Sequence, residues 1–139
     1  MITNHSVIYS DSKRMDAVPS ESVNLIVTSP PYPMIQMWDE LFVRQNAHVR
    51  KALEKENGPD AFELMHTILD PIWAEVYRVL EFGGFACINI GDATRTIKGN
   101  FVLYPNHIRI LKQLLELGFT ALPDILWRKQ TNAPNKFMG

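Results

Sequence analysis

Cysteine is nearly absent from this sequence of 139 residues, since Cys87 is the only one. A single cysteine forms no internal disulfide bond and no cysteine-based zinc site, and it fits the reducing cytoplasm. No stretch approaches the roughly 18 apolar residues of a membrane-spanning helix, and the first residues lack the pattern of a signal peptide. The four histidines are widely scattered and share no metal-ligand spacing, which predicts a protein without a bound metal.

The net charge of −1 shows no excess of either sign, but the charges are unevenly distributed along the chain. Residues 1–92 contain seven Lys or Arg and thirteen Asp or Glu, whereas residues 93–139 contain seven and two. A basic C-terminal part is typical of a surface that faces a polyanion, although a solvated basic surface has the same composition.

Strands and helices alternate in the predicted order β-β-α-α-β-α-β, which is typical of an α/β domain with a mostly parallel sheet. The β-branched run 23–27 indicates a strand that is buried on both faces. The second predicted helix has apolar residues spaced by three or four, and Pro71 is expected to kink or divide it. We predict strands near 6–9, 23–27, 85–90 and 119–127, helices near 40–56, 60–81 and 104–117, and a loop over 93–102.

Polar side chains follow three of the predicted strands. Asp11 follows the first strand, residues 28–32 follow the second, and Gly91 and Asp92 follow the third. Ligands of α/β sheets bind beyond the carboxyl ends of the strands, so these groups form one site if the strands lie side by side. The alternative for Asp11 is a helix cap, and the alternative for Asp92 is a turn.

The segment Ser29-Pro30-Pro31-Tyr32 is the most informative of these strand ends. Two consecutive prolines fix the backbone and leave carbonyl oxygens without a local hydrogen-bond donor. A rigid loop of this kind presents a seryl oxygen, free carbonyls and an aromatic ring, which suits a planar base that carries an exocyclic amine. The alternative is a simple proline turn with a buried tyrosine.

Residues 28–32, placed directly after a strand, resemble the catalytic motif of DNA amino-methyltransferases. Those enzymes carry Asp/Asn/Ser-Pro-Pro-Tyr and methylate N6 of adenine or N4 of cytosine. The catalytic motif precedes the recognition region here, as in the beta class of the family. The resemblance implies a Rossmann-like methyltransferase sheet and S-adenosylmethionine as cofactor. Further segments that resemble the family, in family order, are 8–11, 18–23, 73–80 followed by 83–84, 85–92, and 124–129 with 132–134.

One motif of the beta class is missing. The Phe-x-Gly-x-Gly segment, which holds the methionine part of the cofactor in that class, does not occur in these 139 residues. The nearest match, Phe82-Gly83-Gly84, lies between a predicted helix and a predicted strand, and we interpret it as a turn that ends the helix. The resemblance therefore implies an incomplete fold, with one partial domain over 1–139 that contains the catalytic half. A truncated recognition region would begin near 128–139.

The resemblance also implies roles for single residues. Ser29 and the Pro30 carbonyl would accept hydrogen bonds from the target amine, Pro31 belongs to the rigid loop, and Tyr32 would stack on the flipped base. Serine at position 29 in place of aspartate favours cytosine N4 over adenine N6. For the cofactor, Asp11 would lie near its adenine, and Asp92 would line the cofactor or base pocket. Candidate contacts to DNA phosphates are Arg95, Lys98, Arg128, Lys129 and Lys136.

These roles predict a cytoplasmic, site-specific methyltransferase of the restriction–modification type that acts on double-stranded DNA. Because the cofactor motif is missing, we expect the chain alone to bind S-adenosylmethionine weakly or not at all. We also expect its open sheet edge to be covered by a complementary C-terminal half or by self-association. Two alternatives remain open: a methyltransferase that acts on RNA or protein, and a non-catalytic remnant or binding module.

Overall fold

The computed structural model describes residues 2–128 and contains four strands and four α-helices within them. A short 3-10 helix at Gln36–Trp38 follows the first strand. The elements in chain order are β1 (Val23–Thr28), α1 (Asp39–Gln45), α2 (Ala47–Glu54), α3 (Gly58–Val79), β2 (Leu80–Ile88), β3 (Ala93–Ile97), β4 (Asn100–Tyr104) and α4 (Asn106–Leu117).

Strands β1 and β2 form a two-stranded parallel sheet, with Leu25 opposite Phe85 and Thr28 opposite Ile88. This confirms the predicted α/β class, and it confirms strands near 23–27 and 85–90. The expectation that Gly83 and Gly84 end the preceding helix is wrong, because α3 ends at Val79 and both glycines lie inside β2 at an irregularity of the pairing. A Cβ at Gly84 would lie 3.1 Å from the Asn24 carbonyl oxygen, so glycine permits a close approach of the strands.

The two faces of this sheet have different surroundings. On the covered face, which we define as Ile26, Ala86 and Ile88, the side chains pack against the buried core. On the open face, which we define as Leu25, Val27, Phe85 and Cys87, all four side chains are exposed. The prediction that β1 is buried on both faces is therefore wrong for the described part of the chain, because helices cover only one face.

Helix α3 forms the centre of the core and continues through Pro71. The predicted division at Pro71 is wrong: Leu69 and Trp73 on either side of it are both almost fully buried. Their packing outweighs the one helical hydrogen bond that a proline removes. Phe62 and Trp73 are buried core residues, whereas Trp127 is 71% exposed. No helix within residues 2–128 is long and apolar enough to cross a membrane.

The helix predicted near 40–56 is in fact two helices, and Asn46 separates them. Its backbone is extended, with φ −148° and ψ 108°, and its side-chain oxygen accepts a hydrogen bond of 2.9 Å from the His48 N–H. Asn46 therefore caps α2 and interrupts the helical backbone after α1. The helix predicted near 104–117 is confirmed as α4, which ends at Gly118 with φ +109°.

Residues 93–102, predicted as a loop, form most of the antiparallel hairpin β3–β4. The hairpin turns at Lys98 and Gly99, which both have positive φ, as a type I′ turn requires. Tyr104 at the end of β4 is buried against α3, and a Cβ at Gly58 would lie only 1.9 Å from the Tyr104 hydroxyl oxygen. Glycine at the first residue of α3 is therefore required for the hairpin to dock.

The strands predicted near 6–9 and 119–127 are absent from the structure of residues 2–128, and so is a short helix after Asp11. Tyr9, Ile125 and Leu126 are each more than 90% exposed. A strand needs a neighbouring strand to hydrogen-bond with, and neither segment has one among the described residues.

Residues 15–22 are attached to the end of α3 by hydrogen bonds, several of which involve the Glu75–Arg78 ion pair within that helix. Arg78 donates hydrogen bonds to Glu75 and to the carbonyls of Met15 and Val18, and Glu75 accepts one from the Met15 N–H. The hydrogen bonds from Arg78 and then from Met15 lower the pKa of Glu75 to about 2. This pairing positions the chain just before β1.

Candidate active site

The carboxyl ends of β1 and β2 bring two polar segments together. The Asn89 N–H donates to the Thr28 carbonyl at 2.8 Å, which continues the strand pairing up to the residue that precedes the proline loop. The proline loop, 29–33, and the segment 89–92 therefore leave the sheet side by side. This is the edge at which α/β proteins bind ligands.

The side chain of Tyr32, in the proline loop, connects this loop to the segment 89–92. Its hydroxyl is 3.4 Å from both the Ser29 Oγ and the Asn89 carbonyl oxygen, which are long hydrogen bonds. Its ring lies against Gly91, where a Cβ would be 3.3 Å from the Tyr32 Cε2. The ring is half-buried and the Ser29 side chain is exposed, so an aromatic surface and a hydroxyl are accessible at one place.

The far end of the proline loop is buried and conformationally constrained. Pro33 and Met34 are almost fully buried, and Met34 has φ +67°, a left-handed conformation that non-glycine residues rarely adopt. The Met34 N–H donates to the Met65 sulfur at 3.3 Å. Such conformations persist only where surrounding contacts hold them, and they are concentrated at functional sites.

A buried polar network holds the backbone of Pro33, which follows Tyr32, and of Gly91, against which the Tyr32 ring lies. Asn106 is 0% exposed, and its Nδ2 donates to the Pro33 carbonyl at 3.1 Å and to the Gly91 carbonyl at 3.0 Å. Its Oδ1 lies 3.0 Å from the Nε2 of His66, which is also 0% exposed. Burial lowers the pKa of His66 to about 4, so its ring is neutral at neutral pH.

Asp92 is engaged by helix α4. Its Oδ1 accepts a hydrogen bond of 3.2 Å from the His107 N–H and lies 2.7 Å from the His107 Nδ1. The residue before α4 is Pro105, which provides no side-chain cap, so Asp92 satisfies an N–H of the first turn from outside the helix. This places Asp92 at the predicted edge, and it shows a structural role for one carboxylate oxygen.

The structure does not bring Asp11 to the proline loop through any hydrogen bond of residues 2–128. Asp11 is exposed, and its carboxylate accepts a hydrogen bond of 3.0 Å from the Lys13 N–H within a turn. Asp11 therefore caps a backbone N–H, as in the alternative of a helix cap, but the segment that it caps is a turn and not a helix.

The predicted phosphate contacts have different surroundings. Arg95 donates two hydrogen bonds to Asp39, at 2.9 and 2.8 Å, and both side chains are largely buried. Lys98 lies at the exposed tip of the β3–β4 hairpin, and Arg128 is exposed. Lys129 and Lys136 lie outside the described residues. Within residues 2–128, no group of three His, Cys, Asp or Glu side chains has a geometry that could hold a metal ion.

Comparison with known proteins shows the family. The sequence profile of the DNA methylase family matches residues 23–137, which is most of the chain. The chain belongs to the DNA methylase family. The match includes the proline loop and the segment 89–92, so both parts of the site lie in the region that the family shares.

Two curated relatives are Type II methyltransferases from archaea. M.MjaI of Methanocaldococcus jannaschii is 52% identical over 99% of this chain and 49% of its own length. M.MthZI of Methanothermobacter thermautotrophicus is 46% identical over 100% of this chain and 39% of its own length. The chain therefore spans about half the length of these relatives, or less.

A solved structure shares the fold. TTHA0409, a candidate DNA modification methylase of Thermus thermophilus crystallised with S-adenosyl-L-methionine, matches with a TM-score of 0.67 and 30% identity. The match covers 91% of this chain and 47% of that one. It confirms the predicted methyltransferase fold over the matched part of this chain.

Sequence analysis did not identify Asn106 and His66 as site residues. Both are polar residues on helices whose other buried positions are mainly apolar, and nothing in the local pattern shows that they point toward the proline loop. The one local signal is the position of Asn106 directly after Pro105, at the start of a helix, where side chains often bind neighbouring backbone groups.

Proposed function

We propose that this chain forms the catalytic half of a site-specific, S-adenosylmethionine-dependent DNA methyltransferase that methylates an exocyclic amine of a base. The observation that supports this most directly is the proline loop at the carboxyl end of β1, with the accessible Ser29 hydroxyl next to the half-buried Tyr32 ring. The membership of the DNA methylase family and the Type II relatives support a restriction–modification role in the cytoplasm.

The loop residues act on the target amine. The Ser29 Oγ and the Pro30 carbonyl accept its two hydrogens, which directs the nitrogen lone pair away from the loop and stabilises the positive charge that develops on nitrogen. Tyr32 stacks on the face of the base. The bound cofactor supplies an electrophilic methyl group on a sulfonium ion, and the amine afterwards loses one proton to solvent, so no strong base is needed.

The residues of this chain fit only part of a cofactor site. Asp92 lies at the correct edge, and the hydrogen bonds seen within residues 2–128 use its Oδ1 alone. The sequence contains no Phe-x-Gly-x-Gly segment to hold the methionine part. We propose that Asp92 and Asp11 contribute to binding the cofactor, and that the remaining contacts come from a complementary half. The apolar open face supports this, because that surface is typical of a face that another layer covers.

Cytosine N4 is the proposed target, with adenine N6 as the alternative, because serine occupies the first position of the motif. Lys98 and Arg128 are proposed to contact phosphates directly, since both are exposed. Arg95 would have to exchange Asp39 for a phosphate. Lys129 and Lys136 are proposed from their sequence position alone.

The test is a fusion of this chain to the remaining half of M.MjaI. We expect transfer of a tritiated methyl group from S-adenosylmethionine to duplex DNA, and hydrolysis of the product should yield N4-methylcytosine. Tyr32→Ala should weaken binding of the base by about 1–3 kcal/mol, and Ser29→Ala should mainly lower the rate of transfer. Tyr9→Ala, at a tyrosine that is 96% exposed, is the matched control and should behave like the parent.

The alternatives give different results in the same assay. Transfer to RNA but not to DNA would replace the proposal with an RNA methyltransferase. A folded fusion that binds no S-adenosylmethionine in calorimetry and methylates neither substrate would support a non-catalytic module. N6-methyladenine as the product would keep the enzyme class and overturn the cytosine assignment.

A further inference from the structure

The Asn106 side chain holds two backbone carbonyls that belong to direct neighbours of Tyr32. One is the carbonyl of Pro33, the next residue in the chain, at 3.1 Å. The other is the carbonyl of Gly91, the residue against which the Tyr32 ring packs, at 3.0 Å. A single amide group thus connects the end of the proline loop to the end of β2.

The hydrogen bonds also fix which way the amide points. Both carbonyls are acceptors, so the Asn106 Nδ2 must face them and the Oδ1 must face His66. His66 must therefore carry its proton on Nε2, because Oδ1 can only accept. Its Nδ1 then has no hydrogen and carries a lone pair. That atom is buried with no hydrogen-bond partner among the described residues.

This arrangement costs stability, and such costs are concentrated at functional sites. Buried side-chain nitrogen without a partner is unfavourable, and so is the left-handed backbone of Met34. Met34 directly follows the Pro33 carbonyl that Asn106 holds, and His66 contacts the Oδ1 of the same Asn106 amide. The hydrogen bond to Pro33 on one side and the Met34 N–H to Met65 on the other keep the strained peptide in place.

We infer that Asn106 is a positioning residue, oriented by His66, that holds the Tyr32 ring against Gly91 so that the ring is ready to stack on the target base. The effect on methyl transfer rests on the proposed function, whereas the arrangement of Asn106, His66 and Tyr32 does not. Asn106 touches neither base nor cofactor in this account and acts through Tyr32 alone.

The first experiment tests the geometry in the chain itself by nuclear magnetic resonance. The ring nitrogens of His66 should show one protonated Nε2 and one unprotonated Nδ1 at neutral pH. Asn106→Asp, which removes both donors with little change in shape, should shift the Tyr32 ring signals. The control Asn100→Asp, at the exposed start of β4, should leave them unchanged. A His66 proton on Nδ1, or unchanged Tyr32 signals in folded Asn106→Asp, would overturn the inference.

A second pair of variants covers the case in which Asn106→Asp does not fold. His66→Gln retains an amide N–H for the Asn106 Oδ1, and it should keep the parent Tyr32 signals. His66→Leu removes the donor and should shift them. The same Tyr32 signals in all three proteins would show that His66 does not orient the amide.

The second experiment measures methyl transfer in the fusion with the M.MjaI half. Asn106→Asp should lower kcat at least about tenfold, because a small misplacement of a positioning group is costly, while KM for S-adenosylmethionine stays near the parent value. An unchanged kcat would overturn the positioning role. If the parent fusion is inactive, the proposed function fails and the resonance experiment still decides the inference.

Discussion

On the covered face of the β1–β2 sheet, Ile26, Ala86 and Ile88 pack against the buried core, whereas on the open face Leu25, Val27 and Phe85 are each more than half exposed. The two faces use the same kinds of residue. The apolar pattern of a strand therefore shows that both faces are suited to burial, and it does not show which layer of which chain buries them.

The largest expected difference between the two sides is in stability. Leu69→Ala, in the core of α3 at 2% exposure, should lower the free energy of unfolding by about 2–5 kcal/mol through lost burial and a cavity. The matched variant Leu25→Ala, on the open face at 54% exposure, should change it by only about 0.5 kcal/mol. Urea unfolding measures both, and similar losses would mean that the open face is covered in solution.

The second prediction concerns pH on the core side. Burial lowers the pKa of His66 from 6.5 to about 4, with Arg109 lowering it further and Asn106, Glu63 and Asp70 opposing. As the pH is lowered, His66 is protonated in the unfolded chain at a higher pH than in the folded chain. The contribution of His66 to stability is therefore largest above about pH 6.5. It should fall by about 3 kcal/mol as the pH drops toward 4.

Urea unfolding at a series of pH values tests this, and His66→Gln should flatten the profile across that window. The control His5→Gln, at an exposed histidine, should retain the parent profile. Glu75, whose pKa is about 2, contributes below this window, since its stabilising effect is lost as the pH falls from about 4.5 to 2. A His66→Gln profile as steep as that of the parent would contradict the assignment.

The third prediction concerns how fast cysteines on the two faces of the sheet react, and it requires the smallest change to the protein. Cys87 is exposed and is the only cysteine, so a thiol reagent should modify the folded chain nearly as fast as the unfolded one. In a Cys87→Ser background, Ile26→Cys on the covered face should react much more slowly. Slower modification of Cys87 in the M.MjaI fusion would mean that the added half covers the open face. Slower modification of Cys87 in the chain alone would indicate self-association through that face.

Sequence reasoning recovered the elements whose signals are local. Each of these signals lies within the segment it predicts: the β-branched run of β1, the apolar spacing of α3 and the glycine that ends α4. The position of the site at the carboxyl edge of the sheet could also be predicted, because the proline loop comes directly after β1. The division between α1 and α2 could not be predicted, because the Asn46 cap interrupts a segment that otherwise has helical spacing.

Several other errors share one physical cause, which is that a partner distant in sequence decides the outcome. Residues 6–9 and 119–127 have strand composition but no neighbouring strand among the described residues. Arg95 is a surface cation by composition, yet Asp39 pairs with it. Asn106 is polar and still fully buried, because two carbonyls and His66 satisfy its side chain.

The parallel pairing of β1 with β2 has a consequence for the order of folding. Residues 29–79 must be closed into a loop before the two strands meet, and antiparallel contacts within a hairpin need no such closure. The groups around Tyr32 come from positions 33, 66, 91 and 106, so the last of them leaves the ribosome long after the proline loop. A chain interrupted before α4 would contain the whole proline motif and still lack the amide that holds it, so the site is assembled only after α4 has been synthesised.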